Sequence, residues 1–241
     1  MTVYALWSSP RSRSTAFFRS MLERGDVVVL HEPFFDLHAT GHTEFDGDTC
    51  TTAGELLRKL RSRSGGRSLF LKETTDHRYE EILSDTSFLT EARHAFLIRT
   101  PEEIAASYHA LHPEMKQQEV GLETLHELYR AVLDAGGHEP IVIDSDDLIA
   151  SPAAVMAAYC GAVGLPFRSD ALTWTAEDRP EWQRTARWHQ MTASSSGFEG
   201  RTSRYDHTTR NSKRLAAFAA HHRPFYDLLR AERLRVDTGG K

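Results

Sequence analysis

Residues 2–24 read TVYALW, then SSPRSRST, then AFFRSMLER, and this stretch decides the fold. Thr2–Trp7 is a β-prone run and Ala16–Arg24 has helical spacing, with a serine- and arginine-rich loop between them. A phosphate placed at that loop would meet free backbone N–H groups at a helix N-terminus. Ser12, Ser14 and Thr15 would add hydroxyl donors there, and Arg11 and Arg13 would add charge and forked hydrogen bonds. The plain alternative is a basic surface turn with a capping serine. The pattern GxxxxGK[ST] is absent, which argues against an ATP- or GTP-hydrolysing enzyme.

Short apolar runs continue along the chain at Asp26–Leu30, Ser68–Leu71, His94–Ile98 and Pro140–Ile143. Helical patterns separate them: Gly54–Arg63, Pro101–Tyr108, Leu122–Ala135, a segment from Ser151-Pro152 to Val163 ended by Gly164, and Leu215–Leu234. Alternating strands and helices predict one α/β domain over 1–241, with a central parallel sheet of about five strands flanked by helices. In such sheets ligands bind beyond the carboxyl ends of the strands. Phe35–Thr52 is polar and reads as a long excursion belonging to a substrate lid. The span 194–213 is expected to be a mobile flap that brings Arg201 or Arg204 to phosphate, and 236–241 a disordered tail.

The composition narrows the function classes. With 29 basic and 34 acidic residues the formal net charge is -5, which argues against non-specific nucleic-acid binding but not against an anionic small molecule. Cys50 and Cys160 stand alone, so neither a disulfide framework nor a cysteine metal site is expected, and a reducing cytoplasm fits. The histidines are scattered, pairs such as His221/His222 and His109/His112 read as surface side chains, and no metal is expected. No apolar run approaches a membrane span and the first residues do not resemble a secretory signal. The expected partner is a small-molecule acceptor, with no nucleic acid and no membrane; a homodimer is left open.

A second phosphate signal lies in Phe96–Ser107, FLIRTPEEIAAS. Arg99 follows a strand, and Ser107 lies eight residues on, about two helical turns along a helix opened by Pro101. A doubly charged phosphate could rest against both. Pairing of Arg99 with Glu102 or Glu103 is the competing reading.

Together the two motifs resemble the 5′-phosphosulfate loop and the 3′-phosphate motif of sulfotransferases that use 3′-phosphoadenosine-5′-phosphosulfate (PAPS). Ile141–Leu165 is similar to that family's strand–acidic-Leu–helix–Gly-Leu segment, and Trp188-His189 followed by Ser194–Phe198 resembles a late segment that closes over the donor in bacterial members. The resemblance runs from residue 3 to about 230. It implies a P-loop-like fold, PAPS as donor and PAP, the 3′,5′-bisphosphate, as product, with no metal. Two departures stand out: Arg13 occupies a position where the family often has glycine, and Lys72-Glu73-Thr74 lacks the histidine of the animal cytosolic branch. A positive φ at Arg13 would be strained, so the loop is expected either to close differently or to send the Arg13 side chain toward the acceptor.

A hydroxyl acceptor needs a base. His31-Glu32-Pro33-Phe34 resembles the position of the base glutamate in other branches, which ranks Glu32 first; His31 competes if the chain turns there, and Glu73, Asp76 and His77 form a reserve cluster. Lys72 would neutralise the transferred group beside Arg11, unless it is a surface lysine. The expected reaction is in-line sulfuryl transfer to a hydroxyl of a small-molecule, carrier-bound or natural-product acceptor. A kinase-like phosphotransferase and a non-catalytic PAP-binding paralogue are the alternatives. Of the tryptophans, Trp174 is expected in the core, with Trp182 and Trp188 open between core and acceptor pocket.

Overall fold

A computed structural model describes residues 2–62, 66–200 and 204–236. Along the chain the first third contains β1 (Val3–Ser8), α1 (Ser14–Glu23), β2 (Val28–His31), α2 (Pro33–Thr40), β3 (Thr43–Phe45), β4 (Asp48–Cys50), α3 (Ala53–Ser62) and β5 (Leu69–Thr74). Then come α4 (Glu80–Ser84), α5 (Thr86–Glu91), β6 (Arg93–Ile98), α6 (Pro101–His109), α7 (Leu122–Ala135) and β7 (Ile141–Asp144). The last part holds α8 (Ser145–Ala150), α9 (Pro152–Val163), a 3-10 segment (Pro180–Trp188), α10 (Gln190–Ala193) and α11 (Lys213–Ala231).

Five strands form one sheet in the order β2-β5-β1-β6-β7, every neighbouring pair parallel. Side chains alternate across it. Ala5, Trp7, Leu71, Phe96 and Ile98 pack into a layer with α3, α6, α7 and α11 residues such as Leu56, Ile104, Leu125 and Leu229. Tyr4, Leu6, Phe70, Leu97 and Ile143 face the opposite layer, built from Phe17 and Phe18 of α1 and Val155, Met156 and Tyr159 of α9. Both faces are covered, so the strands are apolar runs without polar alternation.

The expected α/β domain with a five-stranded parallel sheet is what the chain forms. The span 35–52, read as a long excursion, carries regular structure: α2 takes its first part, and β3 and β4 make a separate antiparallel hairpin with Phe45 and Cys50 buried. Strand β5 runs on to Thr74, so Lys72 is inside the sheet at 1% exposure and not a surface lysine. His222 is buried too, its Nε2 at 2.8 Å from the carbonyl of Gln117, against its reading as a surface residue. Trp174 and Trp182 are core residues, while Trp188 is only partly covered. Arg201 and part of the 194–213 flap, and the tail from 237 on, lie outside the described residues. Among the described residues no helix is long and apolar enough to cross a membrane.

Candidate functional site

The parallel order brings the carboxyl ends of β1, β2, β5 and β6 to one edge, and a cavity of about 320 Å³ opens there. Its lining includes Arg11, Arg13, Ser14, Thr15, Glu32, Lys72, Arg99 and Ser107, so most of the sequence-derived site residues converge on one space. Ser12 is fully buried beneath them, its hydroxyl 2.6 Å from that of Ser9.

The loop after β1 is built by left-handed backbone. Arg11 (φ 61) and Arg13 (φ 66) both take the conformation usually left to glycine, and Arg13 forms the N-cap of α1. The expectation that Arg13 would avoid positive φ is thus corrected. Its side chain does not reach for an acceptor either: it donates to the carbonyl and hydroxyl of Ser145 at 3.2 and 3.3 Å and to Asp146 Oδ1 at 2.6 Å, at the start of α8. Those bonds fix the strained residue from outside the loop. Gly121 supports the loop from below, with φ +79 and an ideal Cβ position only 2.8 Å from Pro10 Cδ and 2.9 Å from the Thr75 carbonyl oxygen.

The two phosphate motifs touch. Arg11 Nε donates to Ser107 Oγ at 3.0 Å, and Arg99 donates to the Arg11 carbonyl at 2.8 Å. Arg99 also donates to Glu103 at 3.0 Å, the pairing weighed as its competing role, while Glu102 pairs with Arg223. Burial lowers the pKa of the Arg11 guanidinium, and nearby Arg99 adds to that. Arg11 further donates to the Trp188 carbonyl and lies 6.0 Å from the centre of the Trp188 ring.

Glu32 is the third strained residue. Strand β2 ends at His31, and Glu32 turns at φ 49, ψ 48 into α2, where Pro33 sits in the first turn as proline prefers. The turn aims the Glu32 carboxylate into the cavity, where the Lys72 ammonium donates to it. Glu73, the next residue of β5, points to the other side of the sheet and is fully buried. It accepts from the backbone N–H groups of Phe34 (2.8 Å), Phe35 (3.3 Å) and Thr74 (3.1 Å), capping α2 from a distant strand. Burial and the charge of Glu32 push its pKa well above the usual range. It holds the Glu32 turn in place and does not line the cavity, which removes it from the reserve bases.

His31 does not line the cavity. Its ring packs edge-on against Phe18 and His189, with centroids at 5.0 and 4.9 Å, and its Nδ1 is 3.9 Å from Glu32. Burial, then Lys72, lowers its pKa well below the usual histidine value. Asp76 and His77 do reach the cavity wall, with Asp76 Oδ1 at 3.6 Å from His77 Nδ1 and Tyr108 OH donating to Asp76 at 3.4 Å. The nearby Asp76 carboxylate raises the His77 pKa. Tyr108, Trp188 and Phe35 give this end of the cavity aromatic walls.

His31, Glu32 and His189 bring one ligand-type atom each within 4.8 Å of one another. A divalent ion fits them poorly. Lys72 already neutralises Glu32, and both nitrogens of His189 are engaged, Nδ1 with Thr15 at 2.8 Å and Nε2 with Thr185 at 3.0 Å. Thr185 and Tyr108 carried no chemical signal in the sequence, and His189 carried only the resemblance of its segment to one that closes over the donor; its contact with Thr15 comes from the fold. Of the flap residues, Tyr205 lines the cavity and Arg204 is exposed.

Residues 1–233 match the family described as "Sulfotransferase domain". The chain is 30% identical over 215 residues to the "Branched-chain-amino-acid aminotransferase-like protein 2" of Arabidopsis thaliana, covering 82% of this chain and 36% of that one. It therefore spans about a third of that relative's length, and the relative's name describes the longer protein. Among solved structures it is similar to the "Sulfotransferase Domain from the Synechococcus PCC 7002 Olefin Synthase", at 18% identity and a TM-score of 0.47, covering 91% of this chain and 94% of that one. A second is the "Sulfotransferase Domain from the Curacin Biosynthetic Pathway", at 10% identity and a TM-score of 0.47, covering 92% and 97%.

Proposed function

The chain belongs to the sulfotransferase domain family, and from that premise we propose that it moves a sulfuryl group from PAPS to a hydroxyl of a small-molecule acceptor. The reading takes 1–241 as one domain working in the cytoplasm. One observation carries it: the paired Glu32 and Lys72 face the Arg11–Thr15 loop across a single cavity, with the Arg11–Ser107 contact joining that loop to the second phosphate motif.

In the proposed reaction the loop's N–H groups, with the Ser14 and Thr15 hydroxyls, hold the 5′-phosphosulfate, and Arg99 with Ser107 holds the 3′-phosphate. The acceptor oxygen forms a bond to sulfur as the bond from sulfur to the bridging phosphate oxygen breaks. Its proton passes to Glu32, and Arg11 and Lys72 offset the charge that grows on the departing PAP. The remaining contribution is positioning: acceptor, sulfur and leaving oxygen are lined up in a site partly closed from water.

Calorimetric titration of PAP tests the donor half of this reading. The wild type is expected to bind PAP, and Arg99→Ala combined with Ser107→Ala to weaken binding at least about a hundredfold, since two charge-assisted contacts go together. Unchanged affinity in the double variant would sink the 3′-phosphate site.

A further inference from the structure

His189 lies between the 3-10 segment Pro180–Trp188 and α10, 174 residues from the loop it touches. It is 5% exposed, and its ring bridges two hydroxyls: Nδ1 to Thr15 Oγ1 at 2.8 Å and Nε2 to Thr185 Oγ1 at 3.0 Å. A neutral imidazole has one donor and one acceptor nitrogen, so the two bonds must run in one direction. If Nε2 carries the hydrogen, the Thr15 hydroxyl spends its own proton on Nδ1 and turns only lone pairs toward the loop. If Nδ1 carries it, Nδ1–H donates to Thr15, the Thr185 hydroxyl turns from the Trp182 carbonyl, 3.4 Å away, to donate to Nε2, and the Thr15 proton is free to point at an anion. An anion in the loop favours the second arrangement.

We propose that His189 is a positioning residue for donor binding, whose Nδ1–H form turns the Thr15 hydroxyl proton toward the bound phosphosulfate. The inference rests on the donor reading above. The surroundings of the ring favour the same neutral state: burial first, then His31 and the Lys72 and Arg11 cations, against the opposing effect of Glu32, lower its pKa to about 2. A ring whose pKa lies so low is a weak proton acceptor, but it can keep a fixed hydrogen-bond direction. The adjacent Trp188 carbonyl accepts from Arg11, so residues 188 and 189 fasten this late segment to both ends of the loop.

Two readouts test the proposal together. PAP is titrated into the wild type, His189→Asn and His189→Leu, and long-range proton–nitrogen spectra of the imidazole-labelled wild type are recorded with and without PAP. Asparagine can present its side-chain N–H where Nδ1–H stood, so its affinity is expected within about threefold of wild type, with the leucine variant roughly ten- to hundredfold weaker. In the PAP complex, the resonance missing from His189→Asn should be that of a neutral ring with hydrogen on Nδ1. An Nε2–H ring or an imidazolium in that complex overturns the proposal, as does a leucine variant that binds like wild type or an asparagine variant no better than leucine. If the leucine variant does not fold, the wild-type spectrum decides by itself. A wild type that binds no PAP overturns the donor reading instead, whereas a wild type that binds PAP with the wrong ring form overturns only the role of His189.

Discussion

Arg11, Arg13 and Glu32 are three of the four non-glycine residues with positive φ among the described residues, and all three line the cavity. Each such conformation costs on the order of 1–3 kcal/mol, and it persists only where the surroundings enforce it. Here the enforcement is visible: Ser145 and Asp146 hold Arg13, Ser107 and Trp188 hold Arg11, and Glu73 caps the helix that Glu32 opens. Strain gathered at one site is what a prearranged catalytic geometry requires. Glu32→Gln keeps an acceptor for Lys72 and the shape of the turn but cannot take a proton. Its turnover is expected to fall by about 10²–10⁴ with PAP affinity nearly unchanged, read by steady-state assay beside calorimetry; full activity would remove Glu32 as the base. The loop residues and Glu32 were legible in the sequence because they are local motifs. The direction of Arg13 was not, since Ser145 and Asp146 are more than 130 residues away.

At the scale of elements, the strands lay within a few residues of their sequence-derived positions, because buried parallel strands are short apolar runs with little else to read. The β3–β4 hairpin escaped notice: two three-residue strands in which buried and exposed side chains mix carry no apolar run. Burial of histidine was also invisible, and His94 has a measurable consequence. Trp7 Nε1 in β1 donates to His94 Nδ1 in β6 at 2.9 Å, which requires the neutral ring, and His94 Nε2 faces the Phe88 carbonyl at 3.3 Å. Burial lowers the His94 pKa from 6.5 to about 4. The unfolded chain therefore takes up the proton first as pH falls, and stability is lost on acidification between those two values, by up to about 3 kcal/mol from this ring. His94→Asn retains an acceptor for Trp7 and should flatten that part of the urea-denaturation profile relative to wild type; an unaltered slope would refute the assignment. Gly121 makes a second element-level case. Gly121→Ala drives a methyl group into Pro10 and the Thr75 carbonyl at positive φ, and is expected to cost about 2–4 kcal/mol in chemical denaturation. A neutral substitution would mean the loop is not braced there.

For the molecule as a whole, the fold draws one site from distant parts of the chain. Four parallel strand ends deliver the loop, Glu32, Lys72 and Arg99, and the segment around Trp188 and His189 closes over them. The first group was readable because strand ends in this architecture are where ligands bind, so each polar residue after an apolar run was a candidate. The closing segment was marked at Trp188-His189 only by resemblance, and the His189 contact with Thr15 follows from tertiary packing rather than from any spacing. The aromatic residues and the Asp76–His77 pair line the same cavity as the loop, and the proposed acceptor would bind against them. The central claim is PAPS-dependent transfer, and it is tested most directly by incubating the protein with radiolabelled PAPS and a pool of hydroxyl-bearing metabolites in the presence of a metal chelator. The account predicts that label moves to an acceptor and PAP is released only when acceptors are present. Failure to release PAP with any acceptor, or turnover of ATP that depends on Mg²⁺, would contradict it.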